Sequence, residues 1–133
     1  MKTSFQCVLM RAAALAFILA LAGCASISER THAYLGSPKF PPIDPAKVKI
    51  VASEPSQPKD RLGEIMLHID GNPSREAVEN KLRSGAAKLG ADAAYVVYDR
   101  MRVFPVVYAG RWGPVGVGDD MRRDVVAVAV KYK

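Results

Sequence analysis

Apolar and polar positions alternate most clearly in RLGEIMLHI, Arg61 to Ile69, where Ile65, Leu67 and Ile69 are interleaved with Glu64, Met66 and His68. Successive side chains of a strand point to opposite faces, so this period of two predicts a half-buried strand. VKIV, Val48 to Val51, predicts a shorter strand before it, bounded by Pro45 and by the EPSQP break at Glu54 to Pro58, and DGN supplies a turn after it. The period then changes. Val78, Leu82, Gly85/Ala86 and Leu89 recur at spacings of three and four, the apolar stripe of a helix. Asn72 or Ser74 can cap that helix, Pro73 suits its first turn, Glu76 favours the positive end of its dipole, and Gly90 stands where a left-handed terminating residue is usual. Glu79 and Arg83 form an i,i+4 pair on the outer face. The small residues Gly85, Ala86 and Ala87 let such a helix lie close against a sheet.

DAAYVVYDRMRVF opens a third strand of β-branched and aromatic residues, whose regular pairing Pro105 limits. AGRWGPVGVGDD, Ala109 to Asp120, reads as a glycine-rich loop. RRDVVAVAVKY, Arg122 to Tyr132, is the last strand. Its run Val125 to Val130 is apolar without a break, which places it centrally in the sheet or covered on both faces. The expectation is an α+β fold: a small mixed sheet of about four strands packed against one main helix.

Ahead of these elements the pattern is different. Lys2 and Arg11 precede an uncharged run from Ala12 to Ala22, too short for the roughly 20 apolar residues of a membrane-spanning helix. A basic start, a short apolar core and small residues at its end are the layout of a secretory signal peptide, with translation starting at Met1 or Met10. Leu21-Ala22-Gly23-Cys24 resembles the lipobox of bacterial lipoproteins at all four positions. In that family the cysteine thiol receives a diacylglycerol group, the chain is cut before the cysteine, and the new amino terminus is acylated; two or more acyl chains hold a protein stably on a bilayer. The expected organisation is a signal peptide over residues 1–23, a lipidated Cys24 with a Pro/Ser-rich tether over 24–45, and a globular domain over 46–133. Pro38, Pro41, Pro42 and Pro45 stiffen the tether into an extended spacer, or Tyr34, Phe40 and Ile43 dock part of it on the domain. Ala25, rather than an Asp after Cys24, points to the outer membrane, facing the periplasm.

Charge and cysteine content narrow the chemistry. Loss of Lys2 and Arg11 with the signal lowers the formal net charge from +6 to about +4, a surplus suited to anionic lipid or peptidoglycan more than to nucleic acid. Cys7 leaves with the signal, so the remaining Cys24 has no disulfide partner within the chain. His32 and His68 are the only histidines. His68, Glu64 and Met66 on one strand face would make at most a weak soft-metal site, since ordinary sites need three or four convergent strong ligands. There is no GxSxG elbow. Gly116-Val117-Gly118 lacks the Lys-Ser/Thr of a phosphate loop, and the adjacent Asp119 and Asp120 point apart in an extended segment, where they pair with Arg122 or Arg123. The residues therefore point away from an enzyme, and no cofactor or metal is expected. Tyr108, Arg111 and Trp112, set among glycines, are residue types that dominate binding hot spots; they form the candidate partner-binding group, unless Trp112 packs on the edge of the core.

The stretch FPPIDPAKVKIV…EPSQPKDRLGEI…ENKLRSGAAKLGADAAYVV resembles a group of small bacterial envelope lipoproteins that share a core with the Rcs stress-sensor lipoprotein and the pentameric YbjQ-like βαβ superfamily. The resemblance covers roughly Pro41 to Val97 and the last strand. It implies a βαβ-type domain that acts by binding or stress sensing, and it carries no functional residue across. The disulfides that brace the stress sensor have no counterpart here. The expected function is a membrane-anchored, non-catalytic binding or sensing lipoprotein; the alternatives are a structural homo-oligomer of the envelope and a metal-binding domain.

Overall fold

The computed structural model describes residues 25–133 other than Trp112, and the backbone alone of Tyr108, Ala109, Pro114 and Val115. The signal peptide, its Leu21-Ala22-Gly23 motif and Cys24 lie outside the described residues. The strands are β1 (Ser26–Ala33), β2 (Lys49–Val51), β3 (Lys59–Asp70), β4 (Ala93–Gly110) and β5 (Gly113–Tyr132), and the one α-helix among the described residues, α1, is Arg75–Lys88. The sheet has five strands in the order β1-β3-β5-β4-β2, one more than expected, and it is mixed: β2 and β4 are parallel and the other pairs antiparallel. Because β3 and β4 both run antiparallel to β5, β3-α1-β4 is a parallel crossover unit with β5 inserted between its strands.

The helix follows its local signals. The Ser74 hydroxyl, not Asn72, caps it by accepting from the Ala77 N–H at 3.2 Å, and Glu76 lies in its first turn. Val78, Leu82 and Ala86 face Ile65, Leu67 and Ile69 of β3 and Val125 and Ala127 of β5 in one buried cluster. A Cβ on Gly85 would stand 2.7 Å from Ile65 Cγ2, so the helix sits as near the sheet as a bare backbone allows. The apolar run of β5 is central, as its pattern implies. Val125, Ala127 and Ala129 join the cluster under the helix, while Val128 and Val130 point the other way into a smaller one with Ala93 and Tyr95.

Two expectations are corrected. The segment read as a tether belongs largely to the domain. Ser26–Ala33 pairs with β3 from Ser26↔Asp70 to Ala33↔Gly63 and covers what would otherwise be an open edge of β3. Farther along, Phe40 and Ile43 pack against the core, and the Ile43 N–H donates to the Ala87 carbonyl at 3.0 Å. Gly90 makes that docking possible. Its φ is +72°, and a Cβ there would meet Phe40 Cβ and the Pro41 carbonyl oxygen, each at 2.6 Å. The folded domain thus begins at Ser26 rather than at residue 46.

The second correction concerns Ala109 to Asp120, which is not a loop. β4 and β5 continue as an antiparallel ladder to Gly110↔Gly113, leaving only Arg111 and Trp112 between them. β4 runs through Pro105, opposite Asp119, because past its base it has β5 as its only neighbour and an edge strand accommodates a residue without an N–H.

Candidate functional site

Beyond Arg102↔Arg122 the ladder leaves the sheet. β3 ends at Asp70, opposite Arg122, and β2 pairs only with Ala93 to Tyr95, so the last part of β4 and the first part of β5 pair with each other alone. This two-stranded arm carries the candidate binding group. Arg111 is exposed in the turn at its tip, Tyr108 stands on β4 opposite Gly116, and Trp112 lies outside the described residues. Tyr108 and Arg111 are therefore placed at the far end of a projecting arm rather than in a loop on the domain.

The arm brings forward residues that the pattern alone had not singled out. Val103 and Met121 are opposite one another, as are Val107 and Val117, and Met101 continues their row toward the body. All five are exposed, Val107 by 60% and Val117 by 75%. Phe104, on the alternate face, is exposed as well, with the Arg122 guanidinium 5.9 Å from its ring centroid. A two-stranded hairpin is marginally stable on its own, and here its apolar side chains lack the helix that covers the same strands nearer the body. The signal that could have revealed the arm is the near-mirror placing of apolar residues, Val107 with Val117 and Val103 with Met121, around a Gly-Arg-Trp-Gly sequence.

The base of the arm is clamped. Arg123 makes two hydrogen bonds to Asp99, Nε to Oδ1 at 2.7 Å and Nη2 to Oδ2 at 2.5 Å, and this pairing holds the Asp99 carboxyl below the usual carboxylate range. Arg122 lies within 3.2 Å of Asp120 and 3.7 Å of Asp70, so Arg122 takes the pairing expected for this acidic doublet while Arg123 turns to Asp99. Beside the clamp, an open groove of about 410 Å³ between α1 and the strands is floored by Ile50, Val78, Leu82, Val96 and Val125. The charged groups at its mouth, Arg75 with Glu79 and Asp99 with Arg123, are already paired with each other.

The other sequence candidates are engaged in the fold. Glu64, Met66 and His68 do share the sheet face away from α1, but His68 Nδ1 lies 2.7 Å from Asp124 Oδ1, and Glu64 accepts a 2.8 Å hydrogen bond from the Tyr34 hydroxyl. Burial first, and then that hydrogen bond, push the Tyr34 phenol up to about 12. Among the described residues, no group of three or more His, Cys, Asp or Glu side chains is arranged to hold a metal ion. No helix there is long and apolar enough to cross a membrane.

No protein-family model matches the chain, and no curated protein or solved structure is significantly similar to it. The functional reading therefore rests on the residues and their arrangement.

Proposed function

We infer that the protein is a bacterial envelope lipoprotein, exported by its apolar leader, acylated at Cys24 and held on the periplasmic face of the outer membrane, where its folded domain acts without catalysis by binding another envelope component. The observation that carries this reading is Leu21-Ala22-Gly23-Cys24 at the end of a short apolar run behind Lys2 and Arg11. Two features of the fold support a binding role. The arm presents an apolar surface and ends in Arg111, and the Asp99–Arg123 clamp fixes its root to the sheet. The βαβ resemblance to envelope lipoproteins and stress sensors agrees with the β3-α1-β4 crossover, as an analogy of fold.

Mass spectrometry of the amino-terminal peptide and membrane fractionation test the reading. An acylated Cys24 in the outer-membrane fraction supports it. A soluble periplasmic chain whose distribution is unchanged in Cys24→Ala removes it. A homo-oligomeric structural role is the second reading, favoured by the outer edge of β1, eight residues of strand with no neighbour on that side among the described residues. A single monomeric species in a mild detergent, by sedimentation or mass photometry, would set it aside.

A further inference from the structure

We propose that the β4–β5 arm lies in the head-group layer of the same bilayer that holds Cys24, so that the protein grips the membrane at two points, one lipid and one protein. The proposal rests on the lipoprotein reading for the position of the membrane. Three observations carry it.

The first is composition. From Val103 to Met121 the arm reads VFPVVYAGRWGPVGVGDDM, nineteen residues whose only charges are Arg111 in the turn and Asp119 and Asp120 near the base. Apolar side chains stand on both faces, Val103, Val107, Val117 and Met121 on one, where Asp119 interrupts the β5 row, and Phe104 opposite Asp120 on the other; all five apolar residues are exposed. Exposed apolar side chains gathered on one two-stranded arm mark a surface that meets another apolar phase.

The second is where the chain enters. β1 starts at Ser26, in the row Ser26–Asp70–Arg122–Arg102 from which the arm departs, and β1 and the arm lie at the same end of the sheet. Only Ala25 separates Ser26 from Cys24. Two residue steps span at most about 7 Å. The arm runs on past this row for the eight residues Val103 to Gly110, some 27 Å at about 3.4 Å per residue. A sheet twist of roughly 20–25° per strand turns β5 away from β1 by about 45°, which leaves the arm reaching nearly 20 Å beyond Ser26 along the direction of β1. A spacer of about 7 Å keeps the root of the arm close to the surface on which Cys24 is fixed, and a tilt of the domain lays the arm along that surface.

The third is the backbone. Apart from the Met121 carbonyl, which accepts from the Gly71 N–H at 3.0 Å, each arm strand has one edge without a partner strand among the described residues, and such open edges do not occur in the hydrocarbon core. The arm therefore rests in the interface and does not span. Arg102 at its base and Arg111 in its turn are suited to phosphate groups there.

The chain has one tryptophan, Trp112, next in sequence to Arg111 and Gly113 of the arm, so its fluorescence serves as a probe without labelling. The test uses the acylated protein purified from membranes and reconstituted in phosphatidylethanolamine/phosphatidylglycerol vesicles, with and without brominated acyl chains. The expected result is strong quenching by the brominated lipid and poor quenching by acrylamide. A Val107→Asp/Val117→Asp variant, altered only at exposed positions, should lose the lipid quenching while keeping its circular dichroism. Leu35→Asp, at the fully exposed Leu35 beyond the opposite end of β1, should keep it. Acylated protein whose tryptophan is open to acrylamide and unquenched by brominated lipid overturns the proposal. So does a tryptophan shielded from both, with shielding that grows with protein density, because the arm is then covered by a second copy. Unchanged lipid quenching in the double aspartate variant overturns it as well. The mass of the amino-terminal peptide is read on the same sample: an unacylated Cys24 with quenching retained removes the lipoprotein reading but leaves the arm's contact with lipid standing.

Discussion

β5 is one strand with two lives. Near its end, Val125, Ala127 and Val130 are buried at 2% exposure or less; near its start, Val117 is 75% exposed. Both stretches are rich in valine, so local hydrophobicity does not decide burial. What differs is cover. The body of the strand has β3 and β4 on its flanks and α1 across its face, whereas the arm has a single partner and no helix. An apolar strand in the body is held by its own chain. The same kind of strand in the arm is left for something outside it, which we propose is the membrane.

The comparison breaks most visibly if core and arm respond alike to truncation. Leu82→Ala removes a side chain 2% exposed in the centre of the helix–sheet contact, and should cost about 2–5 kcal/mol in urea denaturation of the chain from Ala25 onward. Gly90→Ala comes next. A left-handed backbone costs a side chain about 1–2 kcal/mol, and the approach of Phe40 and Pro41 to within 2.6 Å adds to it. The same denaturation assay should also show the 40–43 segment becoming more susceptible to proteolysis, since Gly90 is where that segment docks.

A smaller effect is read in pH. The unfolded chain releases the Tyr34 proton near 10 and the folded one near 12. Between these values the folded state holds the extra proton, so the contribution is complete below pH 10 and fades as pH rises through 12. Stability should therefore fall more steeply over that interval in the wild type than in Tyr34→Phe. Smallest of all, Val117→Ala in the arm should change stability by no more than about 0.5 kcal/mol. A cost like that of Leu82→Ala would mean that the arm is packed by its own chain, and the contrast between the regions would disappear.

How much of this was legible in the sequence depended on where each element's constraints reside. The helix was readable because Ser74, Glu76, the Val78–Leu82–Ala86 stripe and Gly90 are all local signals. β3 and the central place of β5 followed from alternation and from an unbroken apolar run. β1 was not readable, because its inward positions are Ile27, Glu29 and Thr31, and two of these three are polar. Glu29 is accommodated there by Lys88 of the helix, at 2.7 Å, and by the Thr31 hydroxyl, neither of which is apparent before the fold exists. The arm was hidden by its glycines and prolines, which read as loop although Gly118 and Gly116 simply stand opposite Val106 and Tyr108 in a ladder. Arg111 was read as part of a long loop; its setting in the turn of an arm was not legible, because a long-range strand pairing places it beyond the body of the domain.

Amide hydrogen exchange along β5, with the acylated protein on vesicles and in detergent-free solution after removal of the acylated terminus, separates the two regions most directly. Val125 to Val130 should exchange slowly in both states, and Gly116 to Met121 should be protected on vesicles and exchange fast in solution. Equal exchange of Gly116 to Met121 in the two states would contradict the claim that the membrane provides the cover that the arm lacks.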